Sequence, residues 1–461
     1  MMGDTAPEKL SPRAVALRAI RDRDGNVMAH VDRLAGVSEL RSADRGLAME
    51  LAAGVIKRRS TLTAILRPLL RRPKKRLPAI VSDIMQLGLY QILFLDRVPD
   101  HAAVNETVKL AHKTSQSRHV GLINGVLRSA LRLYPDPIEG APPLSAEIIP
   151  KGPNAFYASP RAIFPDPASD PAGYLAGAYS LPLELAERWI GEFKGLAPAA
   201  KIAMHANCRA PMTVRPNTLK TDTATLLRLF TGAEISADPH ANGLSIVVHD
   251  RVEALAGEMF AEGLFQPQDA TATAACLAAA PKPGMRVLDT CAAPGTKTTH
   301  LAELMKNSGE IVALDVPQKL ELINTNCRRM GISIVDTVPA SQLGSLDPES
   351  FDVVLADVPC SNTGVLARRP EARWRFDEKV LSGLVDDQRF LAIAAAAFVK
   401  PGGRLVYSTC SLEDEEGSRI AAYLSRKNDT FSVVSENLAI PAGASDPVQW
   451  RDGGYCAVFE R

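Results

Sequence analysis

A chain of 461 residues with 46% hydrophobic and 23% charged residues has ordinary globular composition, and it is longer than one core usually organises, so two or three domains are expected. No apolar run reaches the ~18 residues of a membrane span, and residues 1–13 are charged and lack a signal-peptide core, so a cytoplasmic protein without a membrane partner is expected. Seven scattered cysteines and a net charge of +1 argue for reduced thiols rather than a disulfide scaffold, and for a search for uneven charge.

The charge is indeed uneven. Residues 1–135 hold 23 Lys/Arg against 12 Asp/Glu, a net +11, so the remainder carries −10. A basic N-terminal third suggests a polyanion, nucleic acid first. Residues 9–135 read as helix throughout, with apolar side chains at helical spacing in Ala14, Leu17, Ala19 and Ile20, in Leu47, Leu51, Val55 and Ile56, and in Ile84, Leu87 and Tyr90. Asp44 stands where it would N-cap the middle run. Short connectors at Arg72-Pro73 and Val98-Pro99 make this a helical bundle. Between Glu50 and Asp83 there is no acid, and Lys57, Arg58, Arg59, Arg67, Arg71, Arg72, Lys74, Lys75 and Arg76 fill the gap. A solvated face and an RNA phosphate face both fit this run, and the lack of alternating acids favours RNA.

From Tyr134 to about Gly173 prolines crowd the chain, which prevents a continuous helix or central strand and reads as a linker or surface-hugging insertion. Leu181 to Phe193 is expected to be helical. Residues 212–265 alternate short strands and helices, with a helix over Thr223–Phe230 and a strand over Leu244–His249. From Leu264 onward strand and helix patterns alternate: strands at Arg286–Asp289, Ile311–Asp315, Asp352–Asp357 and Arg404–Ser408, helices starting at Thr298 and Lys319. Such alternation predicts a parallel sheet with helices on both faces.

Ligands of open parallel sheets bind beyond the carboxyl ends of the strands. Four strands here end in Asp289, Asp315, Asp357 with Cys360 close behind, and Ser408 followed by Cys410, so acids and thiols gather at one rim. The first turn, Thr290 through Lys297, is rich in small residues (Cys291, Ala292, Ala293, Gly295), which lets backbone approach a ligand. It is neither a dinucleotide nor a Walker fingerprint, so a pyrophosphate site is disfavoured. Asp315 at the next strand end suits ribose hydroxyls. A nucleoside cofactor without pyrophosphate, such as S-adenosylmethionine, fits both. Cys360 and Cys410 follow two strands at equivalent positions, and three readings compete: inert small hydrophobes, metal ligands with Cys291, or a reactive pair. Structural zinc wants four ligands and there is no CxxC pair, so no metal is expected. Pro359 stiffens the turn that aims Cys360, and Thr409 and Ser411 flank Cys410 with hydroxyls able to stabilise a thiolate.

These segments resemble the RsmB/Fmu branch of the Nol1/Nop2/Sun family of RNA cytosine-C5 methyltransferases, over nearly the whole chain. Val287 through Lys297 is similar to the family's cofactor loop, Asp357-Val358-Pro359-Cys360-Ser361 and Ser408-Thr409-Cys410-Ser411 to its two cysteine motifs, and Gln268-Asp269 to its entry into the catalytic domain. Ala48 to Arg58, Leu87 to Phe94, Val98 to Glu106 and Gly121 to Arg128 resemble a NusB-type RNA-binding bundle.

The resemblance implies an α/β, Rossmann-like S-adenosylmethionine-dependent methyltransferase domain preceded by an all-α NusB-like bundle and a small α+β linking subdomain. The expected borders are 9–135 for the bundle, 136–176 for the proline-rich insertion, 177–262 for an RNA-recognition subdomain and 263–461 for the catalytic domain. It implies Cys410 as the nucleophile that adds to cytosine C6, Cys360 as the group assisting loss of the C5 proton and product release, and Lys297 and Asp357 as a pair at the base. Asp289, Cys291, Ala292, Ala293, Pro294, Gly295, Thr296, Lys297, Asp315, Asp336 and Asp357 would hold S-adenosylmethionine. The implied partner is RNA, small-subunit ribosomal RNA first, met by a monomer.

The sequence departs from the family pattern at Thr296, where a second glycine is usual, at Asp336, which stands slightly early for the acid near the adenine, and at Gly417, where asparagine is common. Those departures keep open a non-catalytic ribosome-assembly protein on the same scaffold. A cytosine DNA methyltransferase would attack with the earlier Pro-Cys thiol, and a thiol hydrolase would need a histidine base that neither cysteine turn contains.

Overall fold

The structure, a computed structural model, describes residues 9–22, 27–72 and 77–461. It forms two compact units, Met1–Cys208 with Leu366–Arg375, and Arg209–Val365 with Phe376–Arg461.

The first unit is built on α1 (Pro12–Arg21), α2 (Val27–Val37), α3 (Ser42–Lys57), α4 (Arg59–Leu69), α5 (Ala79–Phe94), α6 (Asp100–Lys113) and α7 (Val120–Leu133). Ser11 caps α1 by accepting the Ala14 N–H at 3.3 Å, and Pro12 occupies the first turn, where its missing N–H costs nothing. In α5, Val81, Ile84, Met85, Leu87, Leu89 and Leu93 are all buried, so this helix is apolar nearly all round and forms the bundle's centre. Asp44 does not cap α3 as expected. The helix starts at Ser42, and Asp44 lies in its first turn, where its charge still favours the helix dipole.

The expected basic face also needs correction. Lys57 and Arg58 are buried: Lys57 Nζ donates to the Cys208 carbonyl at 2.7 Å, and Arg58 donates to the carbonyls of Pro150 and Lys151 at 2.7 and 2.8 Å. They tie the α3 end to later parts of the same unit. Burial lowers the Lys57 ammonium to about 8. Arg67, Arg71 and Arg72 are exposed, as a phosphate-binding face requires, while Lys74, Lys75 and Arg76 lie outside the described residues.

The proline-rich stretch is not a linker. It folds into a three-stranded antiparallel sheet of β1 (Ile138–Glu139), β2 (Ile148–Gly152) and β3 (Ala155–Ala158) in the order β1-β3-β2. Pro150 sits in β2, an edge strand, which is where a residue without an N–H is tolerated. Then α8 (Pro171–Tyr179), α9 (Leu183–Glu192) and α10 (Leu196–Asn207) follow in the same unit, so the break falls at Cys208/Arg209 rather than at 176/177. Arg373 shows why. Its guanidinium donates to the carbonyls of Lys57, Ser180 and Ala206 and to Asn207 Oδ1, and so gathers the C-terminal ends of α3, α8 and α10 where helix dipoles favour a cation.

The second unit opens with β4 (Met212–Pro216), α11 (Thr223–Gly232), β5 (Ala237–Pro239), β6 (Ile246–Val248), α12 (Arg251–Ala256), α13 (Glu258–Ala261) and β7 (Phe265–Pro267). The strands form an antiparallel sheet, β5-β6-β4-β7, against which α11 buries Leu226 and Phe230.

The main sheet uses β8 (Arg286–Asp289), β9 (Glu310–Asp315), β10 (Val335–Pro339), β11 (Phe351–Asp357), β12 (Val399–Thr409), β13 (Ser432–Ala439) and β14 (Gly454–Glu460), in the order β10-β9-β8-β11-β12-β14-β13. The first five are parallel as expected. The sheet as a whole is mixed, because β14 runs antiparallel to β12 and β13. Strand residues alternate between two cores: Leu288, Val312, Val354 and Leu405 face α17 (Glu378–Ala396) and α18 (Ser418–Lys427), while Val287, Ile311, Val353 and Val406 face α14 (Ala270–Ala279), α15 (Thr296–Leu304) and α16 (Pro317–Met330). Chain order reverses between β8 and β11, so the ligand crevice lies beyond their carboxyl ends.

Candidate active site

The turn after β8 is held on three sides. Ala292 N–H donates to the Leu314 carbonyl at 2.9 Å, and Ala293 N–H donates to Asp315 Oδ2 at 2.9 Å. Asn326 reaches the Pro294 carbonyl at 2.9 Å. Gly295 has φ +93°, and a Cβ there would lie 3.1 Å from the Ile323 Cα, so glycine is required. Thr296 is the first residue of α15 and needs no left-handed backbone, so the threonine at this position fits without strain.

Asp289 is buried. The Thr298 hydroxyl donates to its Oδ2 at 2.7 Å, and its Oδ1 has no hydrogen-bond partner among the described residues. Burial pushes this carboxyl up to about 7. Asp315 spends one oxygen on Ala293 N–H and the other on Val316 N–H, and still has lone pairs for a ligand's hydroxyls. Asp336 does not reach the rim. It is exposed in mid-strand opposite Val312, three positions before Pro339 pairs with Asp315.

Lys297 and Asp357 form an ion pair between α15 and the end of β11, and Ser408 Oγ donates to the other Asp357 oxygen at 2.6 Å. Burial opposes the Lys297 ammonium, but the adjoining Asp357 carboxylate outweighs it and holds the lysine above its ordinary range.

Asp357 and Ser408 are in register on neighbouring strands, and just beyond them Cys360 Sγ lies 3.1 Å from Cys410 Sγ. Cys410 also faces Asn362 Oδ1 at 3.4 Å. The Cys360 thiol is pushed well up by its hydrogen bond to Cys410, by burial and by the charge of Glu416. Burial pushes the other thiols up, Cys276 and Cys291 to about 12, Cys327 and Cys456 to about 11, and Cys208 above its ordinary value, which disfavours thiolates there. Among the described residues no group of three or more His, Cys, Asp or Glu is placed to hold a metal.

Three side chains escaped the sequence reading. Asn362, at φ +64°, donates to the Cys360 carbonyl at 2.7 Å while facing Cys410. The signal for it was an Asn just after a proline turn, a residue type that tolerates left-handed backbone. Glu416 is fully buried. It accepts the Ser361 N–H at 2.9 Å, the Ser361 hydroxyl and the Gln388 amide at 2.8 Å, and so clamps the turn that carries Cys360. Gln388 adds a bond to the Pro359 carbonyl at 2.9 Å. Gly417 belongs to the same support: a Cβ there would press within 3.1 Å of the Tyr455 ring, which would have to shift by a few tenths of an ångström.

Lys297, Asp357 and Cys410 line one end of a cavity of about 640 Å³ between α14, β13 and β14.

Residues 276–448 match a family described as 16S rRNA methyltransferase RsmB/F, and residues 11–132 match the NusB family. The chain is 31% identical over 447 residues to the probable ribosomal RNA small subunit methyltransferase B of Bacillus subtilis, covering 94% of this chain and 92% of that one. It is 31% identical to the ribosomal RNA small subunit methyltransferase B of Klebsiella pneumoniae, over 90% of this chain and 89% of the other. Among solved structures, PH0851 superposes with a TM-score of 0.73 at 22% identity, covering 98% of this chain and all of that one. A methyltransferase homologue from Pyrococcus horikoshii gives 0.53 at 25% identity over 62% of this chain and 97% of its own.

Proposed function

Since the chain belongs to the 16S rRNA methyltransferase RsmB/F family, we propose that it methylates C5 of a cytosine in small-subunit ribosomal RNA, through a covalent bond between Cys410 Sγ and cytosine C6. The observation that carries this reading is the meeting of two thiols, 3.1 Å apart, beside the Lys297–Asp357 pair.

The rim residues suit S-adenosylmethionine. The unpartnered Asp289 Oδ1 and the backbone from Cys291 to Lys297 would hold its methionine part, and Asp315 its ribose hydroxyls. Asp336, exposed in mid-strand, takes no part in this proposal. When bound, S-adenosylmethionine supplies an electrophilic methyl group.

Cytosine C5 is a weak nucleophile. The Cys410 thiolate adds to C6, and the electron pair of the C5–C6 bond moves to C5, which can then take the methyl group. Cys360, which keeps its proton, donates a hydrogen bond that stabilises the Cys410 thiolate. Asp357 accepts from the cytosine N4 amino group, the edge that an acidic side chain recognises. Its own partners, Lys297 and Ser408, fix the carboxylate for that contact. The C5 proton then leaves to solvent, its electron pair re-forms the C5–C6 bond, and the Cys410–C6 bond breaks while the Cys360 thiol hydrogen-bonds the departing Cys410 thiolate. The base must leave its stack, which costs least in loops. Arg67, Arg71 and Arg72 on the bundle supply sequence-independent attraction to phosphate.

The test is bisulfite sequencing of ribosomal RNA from cells lacking the protein, with and without wild-type or Cys410→Ala enzyme. One methylcytosine lost on deletion, restored by wild type and not by the variant, is expected. An unchanged methylcytosine pattern would refute the reading.

A further inference from the structure

The cavity that holds the reactive thiol is too long for one base. Asp357 pairs in register with Ser408, Ser408 with Cys456, and Cys456 with Asn437. Side chains at matched positions on adjacent strands share a face, so these four form a row across the sheet, and all four line the cavity. Three strand spacings of ~4.8 Å make the row roughly 14 Å long. Stacked nucleotides advance only ~3.4 Å each along a strand. The row therefore continues past the target base.

Its far end is built rather than incidental. Arg451 stands between two buried, pinned residues. Trp450 accepts a hydrogen bond from His240 Nε2 at its carbonyl, at 2.7 Å, and donates Nε1–H to Asp452 at 3.0 Å. The Asp452 carbonyl accepts from Thr271 at 2.6 Å. Backbone bonds between Arg451 and Ala442 fix the strand itself. Arg451 spends Nε on the Ile440 carbonyl at 3.0 Å, which aims its exposed guanidinium, and its terminal nitrogens have no partner among the described residues. The acids on this wall are engaged within the protein: Asp269 caps α14 and Asp452 holds Trp450. Asn437 is exposed, on the same cavity.

We propose that this arm of the cavity binds the RNA strand beside the target cytosine, with Arg451 on a backbone phosphate and Asn437 on the base edge of a flanking nucleotide. The inference rests on the RNA-methylation reading above. A phosphate contact gives affinity and register, while an amide on a base edge gives preference for that base.

The experiment uses short RNAs that carry the target cytosine with each base in turn at the flanking positions. Binding is measured without methyl donor, and kcat and KM with it, for wild type, Arg451→Ala, Arg451→Lys and Asn437→Ala. Arg451→Ala is expected to weaken binding and raise KM about tenfold, to leave kcat within about twofold, and to lower the salt slope by about one. Arg451→Lys restores the slope. Asn437→Ala flattens the preference at one flanking position without changing the slope. Thermal melting identifies any variant that fails to fold, and the lysine variant then carries the comparison. Equal binding, slope and base preference in all four proteins would overturn the proposal. RNA binding that responds to these variants, in an enzyme that makes no methylcytosine, upholds the groove and refutes the reaction.

Discussion

The sulfur atoms of Cys360 and Cys410 lie 3.1 Å apart although 50 positions separate them in the chain. Strand register brings them together: β11 and β12 are parallel neighbours, with Asp357 opposite Ser408, and each strand ends in a turn that carries a thiol a few residues on. The hydrogen bond to Cys410, burial and the Glu416 charge hold the proton on the Cys360 thiol. Cys410→Ala is therefore expected to abolish both methylation and any covalent RNA adduct, whereas Cys360→Ala still forms the adduct and releases it slowly. A denaturing gel of enzyme mixed with substrate RNA and methyl donor checks this. An adduct that vanishes only in the Cys360 variant would reverse the two roles.

Lys297 is held above its ordinary range by Asp357, so it stays charged throughout any practical assay and no activity loss below about pH 10 is its own titration. Lys297→Met leaves the Asp357 carboxylate without its cation, and with Ser408 as its sole described partner. A drop in kcat of about 10²-fold is expected, the magnitude typical of losing one preorganised electrostatic group. Single-turnover rates at saturating RNA and methyl donor measure it. A change confined to KM would instead make Lys297 a binding group.

The rim of acids and thiols was legible in the sequence because buried parallel strands write themselves as apolar runs, and the residue that ends each run marks the rim: Asp289, Asp315 and Asp357 all stand there. Asp336 was misplaced because β10 continues three residues beyond it to Pro339. The basic run was misread in part because linear charge spacing does not show that Lys57 and Arg58 sit where α3 turns into α4, among carbonyls that satisfy them. Proline density hid β2, since an edge strand and a loop tolerate proline equally. Asn362 and Glu416 could not be found by spacing at all. Their roles depend on a turn folding back against another strand end, which only tertiary contact specifies.

Asp289 makes stability depend on pH. Its carboxyl is raised by burial from 3.8 to about 7, so between those values the native state holds a proton that the unfolded chain has lost. The unfolded state then binds fewer protons, and stability falls as pH rises through this window. Below pH 3.8 the contribution is fully present, and above about pH 7 it is gone. From pH 5 to pH 7 the loss is on the order of 2–3 kcal/mol. Asp289→Asn cannot titrate, so urea unfolding of wild type minus variant should show that slope and then level off. Parallel curves would mean that the carboxyl is already ionised in the folded protein.

Glu416 supports Cys360 from behind and touches neither substrate nor donor in the proposed reaction, so its effect should be on timing rather than binding. Glu416→Ala leaves the Ser361 N–H, the Ser361 hydroxyl and one Gln388 bond without their acceptor, at a cost of about 2–4 kcal/mol. Glu416→Gln is milder, because its amide oxygen still accepts two of those donors while the rotatable Ser361 hydroxyl turns to accept from its NH₂. Removing the charge also removes one cause of the high Cys360 value, so the rate of Cys360 alkylation, followed in a Cys410→Ser background, should rise at lower pH in Glu416→Gln than in the parent. A role confined to holding the fold predicts no such change, since the turn is intact in the glutamine variant. Coincident alkylation profiles, together with unchanged adduct lifetimes, would leave Glu416 as packing alone, whereas a shifted profile with a longer-lived adduct ties the clamp to the release step proposed for Cys360.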